Sequence, residues 1–328
     1  MDKKIHILYT CDNAYLDLTG VSIASVIENN KDQDICFYLA TETDDNDNYR
    51  KLIDFNKNNK RVEFRYLDCK QYDYLLEEKG FDKWGSNSYY VYWKMFAYDH
   101  LDIDELWYLD SDAICINKIS YPEIKKSAGA VLDSAHADFN KNANLPKDYH
   151  LFNTGSFYVN VRRWKENRCT KKIVDYIKKM DFKPLMCDQD ILAGALQNDI
   201  EVISPKYNYF AGYDYYGVHN SFMMYSLDKK PFYSEQEITD VKDNVMFYHC
   251  LGGVFGRPWE KDNESPIKEE FNKYRLLSAW PDFEKERNMS TLFKVEKFLE
   301  VLPDGIYNKV HNLAMKMYLK SLRKQTNG

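Results

Sequence analysis

Leu106-Trp107-Tyr108-Leu109-Asp110-Ser111-Asp112 carries four bulky apolar residues straight into two carboxylates separated by one serine. A short apolar run bounded by polar residues is the pattern of a buried strand. In open α/β sheets, ligands gather at the carboxyl ends of such strands. If the backbone stays extended through the triplet, alternation points Asp110 and Asp112 the same way. Like charges so placed repel, and burying them unpaired is costly. A divalent cation relieves both penalties. Mn²⁺ and Mg²⁺ favour carboxylate oxygen, and Mg²⁺ is held by one or two carboxylates together with substrate phosphates. The stretch therefore reads as a metal–diphosphate site, against the plainer alternative of a solvated turn in which Asp112 caps the next segment.

The chain of 328 residues has room for one large α/β domain or two ordinary ones. With 44% hydrophobic and 29% charged residues its composition is that of a soluble globular protein, and a net charge of -6 argues against general nucleic-acid binding. The N-terminus, Met1 to Tyr9, has too short an apolar core for a signal peptide. No apolar run approaches the ~18 residues of a membrane span. Seven scattered cysteines without a Cys-x-x-Cys pair fit buried thiols in a reduced, cytoplasmic protein, not disulfides or zinc.

Upstream of the acidic stretch, strands are expected at 5–9, 35–40 and 62–67, with helices at 19–29 and 49–58. This alternation argues a parallel, doubly wound sheet. Asp12 ends the first strand and has two readings, a helix cap or a contact to a nucleotide base. The segment from Ser88 to His100 is apolar on most faces and is expected to be one buried helix. Lys94 within it either reaches the surface along its stem or is aimed at phosphates near the acidic pair. Downstream, 129–133 reads as a strand ending in Asp133, and 137–149 as an Asn-rich loop over the site. Phe157, Val159 and Val161 alternate as in a strand, and a basic amphipathic helix is expected from Arg162 to about Met180. Asp188 is placed to cap the helix that comes after it. The tyrosines between Tyr207 and Tyr216 read as a loop forming an acceptor-binding surface. A last strand at 245–248 runs into His249, then Gly252, Gly253, Gly256 and Arg257, which suits a metal ligand followed by a phosphate-facing loop.

Beyond Trp259, helices are expected at 267–277 and 292–302. The segment from Lys309 to Lys324 places Val310, Leu313, Ala314, Met317 and Leu322 near one helical face, and no Asp or Glu occurs from Gly305 onward. A basic amphipathic helix on an acidic protein can lie on an anionic membrane surface. It can equally be a packing helix or a dimer contact.

Taken in order, these motifs resemble the family 8 glycosyltransferases, the retaining group that includes lipooligosaccharide galactosyltransferases, lipopolysaccharide glucosyltransferases and glycogenin. The resemblance runs over roughly residues 5 to 260. It rests on the strand ending at Asp12 with Tyr15, on Leu109-Asp110-Ser111-Asp112, on Phe152-Asn153-Thr154-Gly155, on Asp188-Gln189-Asp190 and on His249 to Trp259. The last motif carries two extra residues here, Arg257 stands where Lys is usual, and Ala14 replaces an expected Asn. The resemblance implies a GT-A fold, a Rossmann-like mixed sheet of the nucleotide-diphospho-sugar transferases, with residues 1–260 as catalytic domain and 261–328 as a C-terminal helical extension. It implies Mn²⁺, with Mg²⁺ as the alternative, held by Asp110, Asp112 and His249. It implies a UDP-glucose or UDP-galactose donor, contacted by Thr10, Asp12, Tyr15, Lys94, Asp110, Ser111, Asn153, Gly252 and Arg257. Asp133, Asp188 and Gln189 would surround the transferred hexose. The basic C-terminal helix and the aromatic loop suggest, as acceptor, a glycan or lipid-linked glycan of the bacterial cell surface, with the enzyme peripheral on the inner face of the membrane. Two other readings stay open: a non-catalytic UDP-sugar-binding protein, and an aspartyl-phosphate phosphatase, which would put its Asp-x-Asp on the first strand.

Overall fold

The computed structural model describes residues 4–83 and 88–326, leaving aside the side chains of Leu292 and of residues 324–326. The centre is a sheet of seven strands: β1 (Ile5–Thr10), β2 (Ile35–Ala40), β3 (Val62–Leu67), β4 (Glu105–Leu109), β6 (Ala128–Leu132), β7 (Phe152–Asn160) and β8 (Ile200–Val202), in the order β3-β2-β1-β4-β7-β6-β8. A smaller sheet holds β5 (Ala113–Cys115), β9 (Tyr209–Phe210) and β10 (Phe247–His249) in the order β5-β10-β9. The helix α1 (Leu16–Asn29) comes after β1, and α2 (Asp47–Asn56) after β2.

The expected parallel sheet holds for β1, β2, β3 and β4, but β7 runs antiparallel to both β4 and β6, so the sheet is mixed. Strand direction leaves no mark in a strand's own periodicity, because both faces of β7 are buried whichever way it runs. The order reverses between β1 and β4, and a crevice at such a switch point is where α/β sheets bind ligands. Asp12 and Asp110 lie just past the carboxyl ends of those two strands.

Three further expectations are corrected. The segment 88–100 is not one helix but a single turn, Tyr90–Trp93, and a 3-10 turn, Ala97–His100. Tyr89, Tyr92, Trp93, Phe96 and Tyr98 are all buried though they point to several sides, so no helical stripe is needed to satisfy them. The helix from Arg162 to Met180 is two helices, Val161–Glu166 and Cys169–Lys179, broken where Arg168 takes a left-handed φ of 53°. The tyrosine-rich segment 207–216 is not a surface loop: Tyr207, Tyr209, Phe210 and Tyr213 are core, spread over β9 and the helix Ala211–Tyr215. The 137–149 segment carries a helical turn, Phe139–Asn142, and its Phe139, Ala143 and Leu145 share a small apolar cluster with Leu319 near the C-terminus.

Past residue 260, Lys268–Leu276 and Thr291–Leu299 are helical, with the long helix Asp304–Thr326 after them. Among the described residues no helix is long and apolar enough to cross a membrane. All seven cysteines are free thiols, six of them buried.

Candidate active site

The acidic triplet does not stay extended. Ala113 N donates to Asp110 O at 3.0 Å, so β4 ends in a turn that leads directly into β5. The turn nevertheless brings the two carboxylates together, and the small sheet supplies the third group. Antiparallel pairing of β5 with β10 sets His249 opposite Ala113, and Cys250 N donates to Asp112 O at 2.9 Å. One ligand atom each from Asp110, Asp112 and His249 lies within 4.8 Å of the others. His249 Nε2 is 3.2 Å from Asp112 Oδ1. Close approach of the imidazole depends on Gly155 in β7, where a Cβ would lie 2.1 Å from the ring.

The donor set fits a divalent cation of the Mn²⁺ or Mg²⁺ kind, with two carboxylates and one imidazole. The imidazole is oriented for it, because Nδ1 sits 3.2 Å from Asn153 Oδ1 and Nε2 faces the carboxylates. Burial alone would raise the Asp112 pKa, but His249 and then Arg257 oppose it and hold the carboxyl down at about 2. Burial likewise pushes the imidazole down, and Asp112 more than reverses this, so the His249 pKa is raised. Both groups therefore favour their charged forms, and a cation can take the place of the imidazolium charge.

On one side of this triad lies Lys94. It does not reach solvent: it is buried, with Nζ 3.0 Å from Asp110 Oδ1 and 3.3 Å from Asp188 Oδ2, over the Tyr108 ring. Burial works against its charge, but the two carboxylates outweigh that and raise its pKa. Tyr108 donates its hydroxyl to the same Asp110 Oδ1 at 2.5 Å, so both bonds fall on one oxygen and Oδ2 keeps its lone pairs for a cation. Asp188 does not cap its helix. It is the first residue of Asp188–Leu196, and its carboxylate accepts from Thr154 Oγ1 at 2.6 Å. Burial raises its pKa, partly offset by Lys94. The start of that helix is tied instead by Asp190, which accepts from Leu185 N at 2.7 Å.

On the other side lies Asp133, at the end of β6. Its Oδ2 accepts from Asn153 Nδ2 at 2.7 Å and from Gln189 Nε2 at 3.1 Å, while Gln189 Oε1 accepts from Thr154 N at 3.4 Å. Asn153, Asp133, Asp188 and Gln189 thus form one network with the triad and Lys94. The remaining expected residues stand around its edge. Asp12 is buried and accepts from Tyr15 N at 2.9 Å, which is the capping geometry. Tyr15 lies 6.1 Å from the Tyr90 ring, with the Lys285 ammonium 5.0 Å from its own ring centre. Thr10 meets the Tyr108 hydroxyl at 3.2 Å and Ser111 meets Thr19 at 2.8 Å. The Arg257 guanidinium lies over Trp259 at 5.3 Å, and its stem closes against Gly252, where a Cβ would come within 2.9 Å.

Sequence reasoning missed Tyr108, Thr154 and Asn208. Tyr108 carried a signal, since it precedes Asp110 by two positions on a strand and so shares its face. Thr154 and Asn208 carried none.

Comparison with known proteins agrees with this geometry. The model of the family described as glycosyl transferase family 8 matches residues 6–262. A lipopolysaccharide 1,2-glucosyltransferase of Escherichia coli is 24% identical over 96% of this chain and 92% of its own length. A lipopolysaccharide 1,3-galactosyltransferase of Salmonella typhimurium is 23% identical over 84% of this chain and 79% of its own. Among solved structures, the galactosyltransferase LgtC in complex with donor and acceptor sugar analogues superposes with a TM-score of 0.63 at 16% identity, covering 89% of this chain and 99% of that one. The bifunctional glycosyltransferase WbbM gives 0.65 at 14% identity over 86% of this chain, which spans about half of it (51%). These likenesses give the fold as that of the GT-A glycosyltransferases.

Proposed function

This chain belongs to glycosyl transferase family 8, and from that membership we propose that it moves a hexose, glucose or galactose, from a UDP-sugar to a glycan or lipid-linked glycan of the lipopolysaccharide type, with retention of anomeric configuration. The phosphatase reading falls with the family. The observation that carries the proposal is the convergence of Asp110, Asp112 and His249 within 4.8 Å beside a network of Asp133, Asp188 and Gln189. The triad would hold Mn²⁺, or Mg²⁺ in its place, and the ion, once bound, supplies Lewis-acid stabilisation of diphosphate charge.

The protein's own groups do the rest. Lys94 and Arg257 carry positive charge on the diphosphate side, where negative charge grows as the bond between the anomeric carbon and the phosphate oxygen breaks. Asp12 and Tyr15 stand at the end of β1 to receive the uracil. Asp133, Asp188 and Gln189 orient the sugar hydroxyls, so the anomeric carbon is held in one pose. The Gln189 amide is fixed at both ends, and it acts as a dipole facing an oxocarbenium-like centre. The acceptor hydroxyl attacks from the leaving-group side. Its oxygen bonds to the anomeric carbon, UDP departs with the electron pair of the broken bond, and a phosphate oxygen takes the hydroxyl proton.

Calorimetric titration with UDP, with and without Mn²⁺, tests the site. Tight UDP binding is expected only with Mn²⁺, and Asp112→Asn should weaken it by at least tenfold. UDP binding that ignores both the ion and Asp112→Asn would end the proposal. A screen of UDP-sugars for UDP release then identifies the donor. We place the enzyme in the cytoplasm, resting on the inner membrane face through its last helix.

A further inference from the structure

Asn208 is fully buried just before β9 and donates from Nδ2 to Asn153 Oδ1 at 2.7 Å. That one oxygen also accepts from Gly155 N at 3.1 Å and faces His249 Nδ1 at 3.2 Å. At the other end of the same amide, Asn153 Nδ2 donates to Asp133 Oδ2 at 2.7 Å. The amide's direction is fixed on chemical grounds. Reversed, it would set its NH₂ against the Gly155 N–H and its carbonyl against a carboxylate. Because Oδ1 can only accept, the His249 nitrogen facing it carries the hydrogen, and Nε2 is the nitrogen presented to Asp110 and Asp112.

We propose that Asn208 is a positioning residue: by holding Asn153 it fixes the tautomer and tilt of His249 at the cation position and, through the same amide, the Asp133 carboxylate on the sugar side. This rests on the cation–donor reading given above. Asn208 touches neither cation nor sugar. Its own Oδ1 is buried without a hydrogen-bond partner. A side chain kept only for packing would be better replaced by leucine, since an unpaired buried carbonyl costs stability. What Asn208 contributes is a side-chain N–H to the Asn153 junction, beside the backbone N–H of Gly155. Among the described residues, no group of the last helix or of the acidic turn duplicates that donor.

The test uses the full chain and Mn²⁺ alone, with free ion counted by electron paramagnetic resonance, and compares wild type with Asn208→Leu. Loss of an outer partner of a ligating histidine lowers metal affinity by about 10-fold to 100-fold. Asn208 acts one bond further out, through Asn153, so a loss at the lower end of that range, about tenfold, is expected in the variant. Two-bond ¹H–¹⁵N spectra of the imidazoles, recorded with saturating Mg²⁺ so that His249 is neutral, supply a second readout, and the variant should show a mixed His249 tautomer. If Asn208→Leu does not fold, the wild-type spectrum with saturating Mg²⁺ still decides, since the inference requires hydrogen on Nδ1. A bare Nδ1 there overturns it. So does a folded variant with unchanged Mn²⁺ affinity and unchanged tautomer. Failure of the wild-type chain itself to bind Mn²⁺ would remove the cation site, and this inference with it.

Discussion

At 3% exposure, Lys94 sets an ammonium between Asp110 and Asp188, with Tyr108 beneath it and Thr154 beside it. Without that charge the buried Asp188 carboxylate would be driven further toward its neutral form. Removing one partner of a buried pair leaves the other uncompensated, which costs about 3–5 kcal/mol. Lys94→Met, close in volume but uncharged, is therefore expected to lose about that much stability at neutral pH, and urea denaturation measures it. A midpoint equal to wild type would show that the two acids need no buried cation. At this scale the sequence was informative where a charged side chain came directly after an apolar strand. Asp110, Asp112, Asp133 and His249 stood out for that reason. It was silent on Thr154 and Asn208, because a hydroxyl or amide inside an apolar run has many packing roles. Only the tertiary direction of its lone donor singles one out. Asp188 shows the reverse error: an Asp at a helix start has an ordinary use as a cap, and here Lys94 and Thr154 claim it.

Among the elements, the last helix was recognised as amphipathic, but its two faces do not divide as polarity alone would have it. Tyr307, Asn308 and Leu319 are buried, and Asn308 and Asn312 donate to Asn220 and Ser226, at the helix Val218–Tyr225 and its C-cap. The stripe read from the sequence is turned outward: Val310 is 39% exposed, Leu313 60% and Met317 65%. A periodic apolar pattern says that one face seeks a partner and not which partner. Lys309, Lys316, Lys320 and Arg323 lie on the same helix, with no acid after Asp304 to cancel them. Exposed apolar area flanked by cations is what an anionic bilayer surface attracts. Leu313→Gln with Met317→Gln is expected to abolish co-sedimentation with phosphatidylglycerol vesicles. It should leave the melting temperature and Mn²⁺-dependent UDP binding nearly unchanged, since both side chains are mostly exposed. Undiminished sedimentation of the double variant would dismiss the membrane reading of this helix.

Across the whole molecule, the catalytic sheet and the C-terminal segment are joined by more than chain connectivity. The Trp280 indole fills the notch above Gly20 of α1, where a Cβ would come within 2.3 Å of the ring. Phe271 and Tyr274 are fully buried, and the Tyr274 hydroxyl accepts from Asn29 Nδ2 at 2.8 Å. Lys285 N donates to Trp259 O at 2.8 Å, and Arg287 binds the carbonyls of Val254 and Asp262 behind the glycine-rich loop that carries Arg257. None of these tertiary contacts could be read from spacing, whereas the strand–helix alternation that orders the sheet could. We propose that the folded catalytic unit extends to about residue 287, and that the last two helices are the more separable part. Truncating one buried aromatic costs about 3–5 kcal/mol, and a chain cut after residue 260 loses the buried Phe271 and Tyr274 together with the partly buried Trp280. That sum is comparable to the roughly 5–15 kcal/mol by which a domain is stable. Fragment 1–260 should accordingly show no cooperative thermal transition. Fragment 1–289 gives up only those two helices, with Tyr307 and Leu319 the main buried side chains lost, at about 2–5 kcal/mol each. It should melt cooperatively at a lower temperature and still bind UDP with Mn²⁺. Circular dichroism melts and UDP titrations on the two fragments decide the matter, and a cooperative, UDP-binding 1–260 fragment would move the boundary back to the end of the glycine-rich loop.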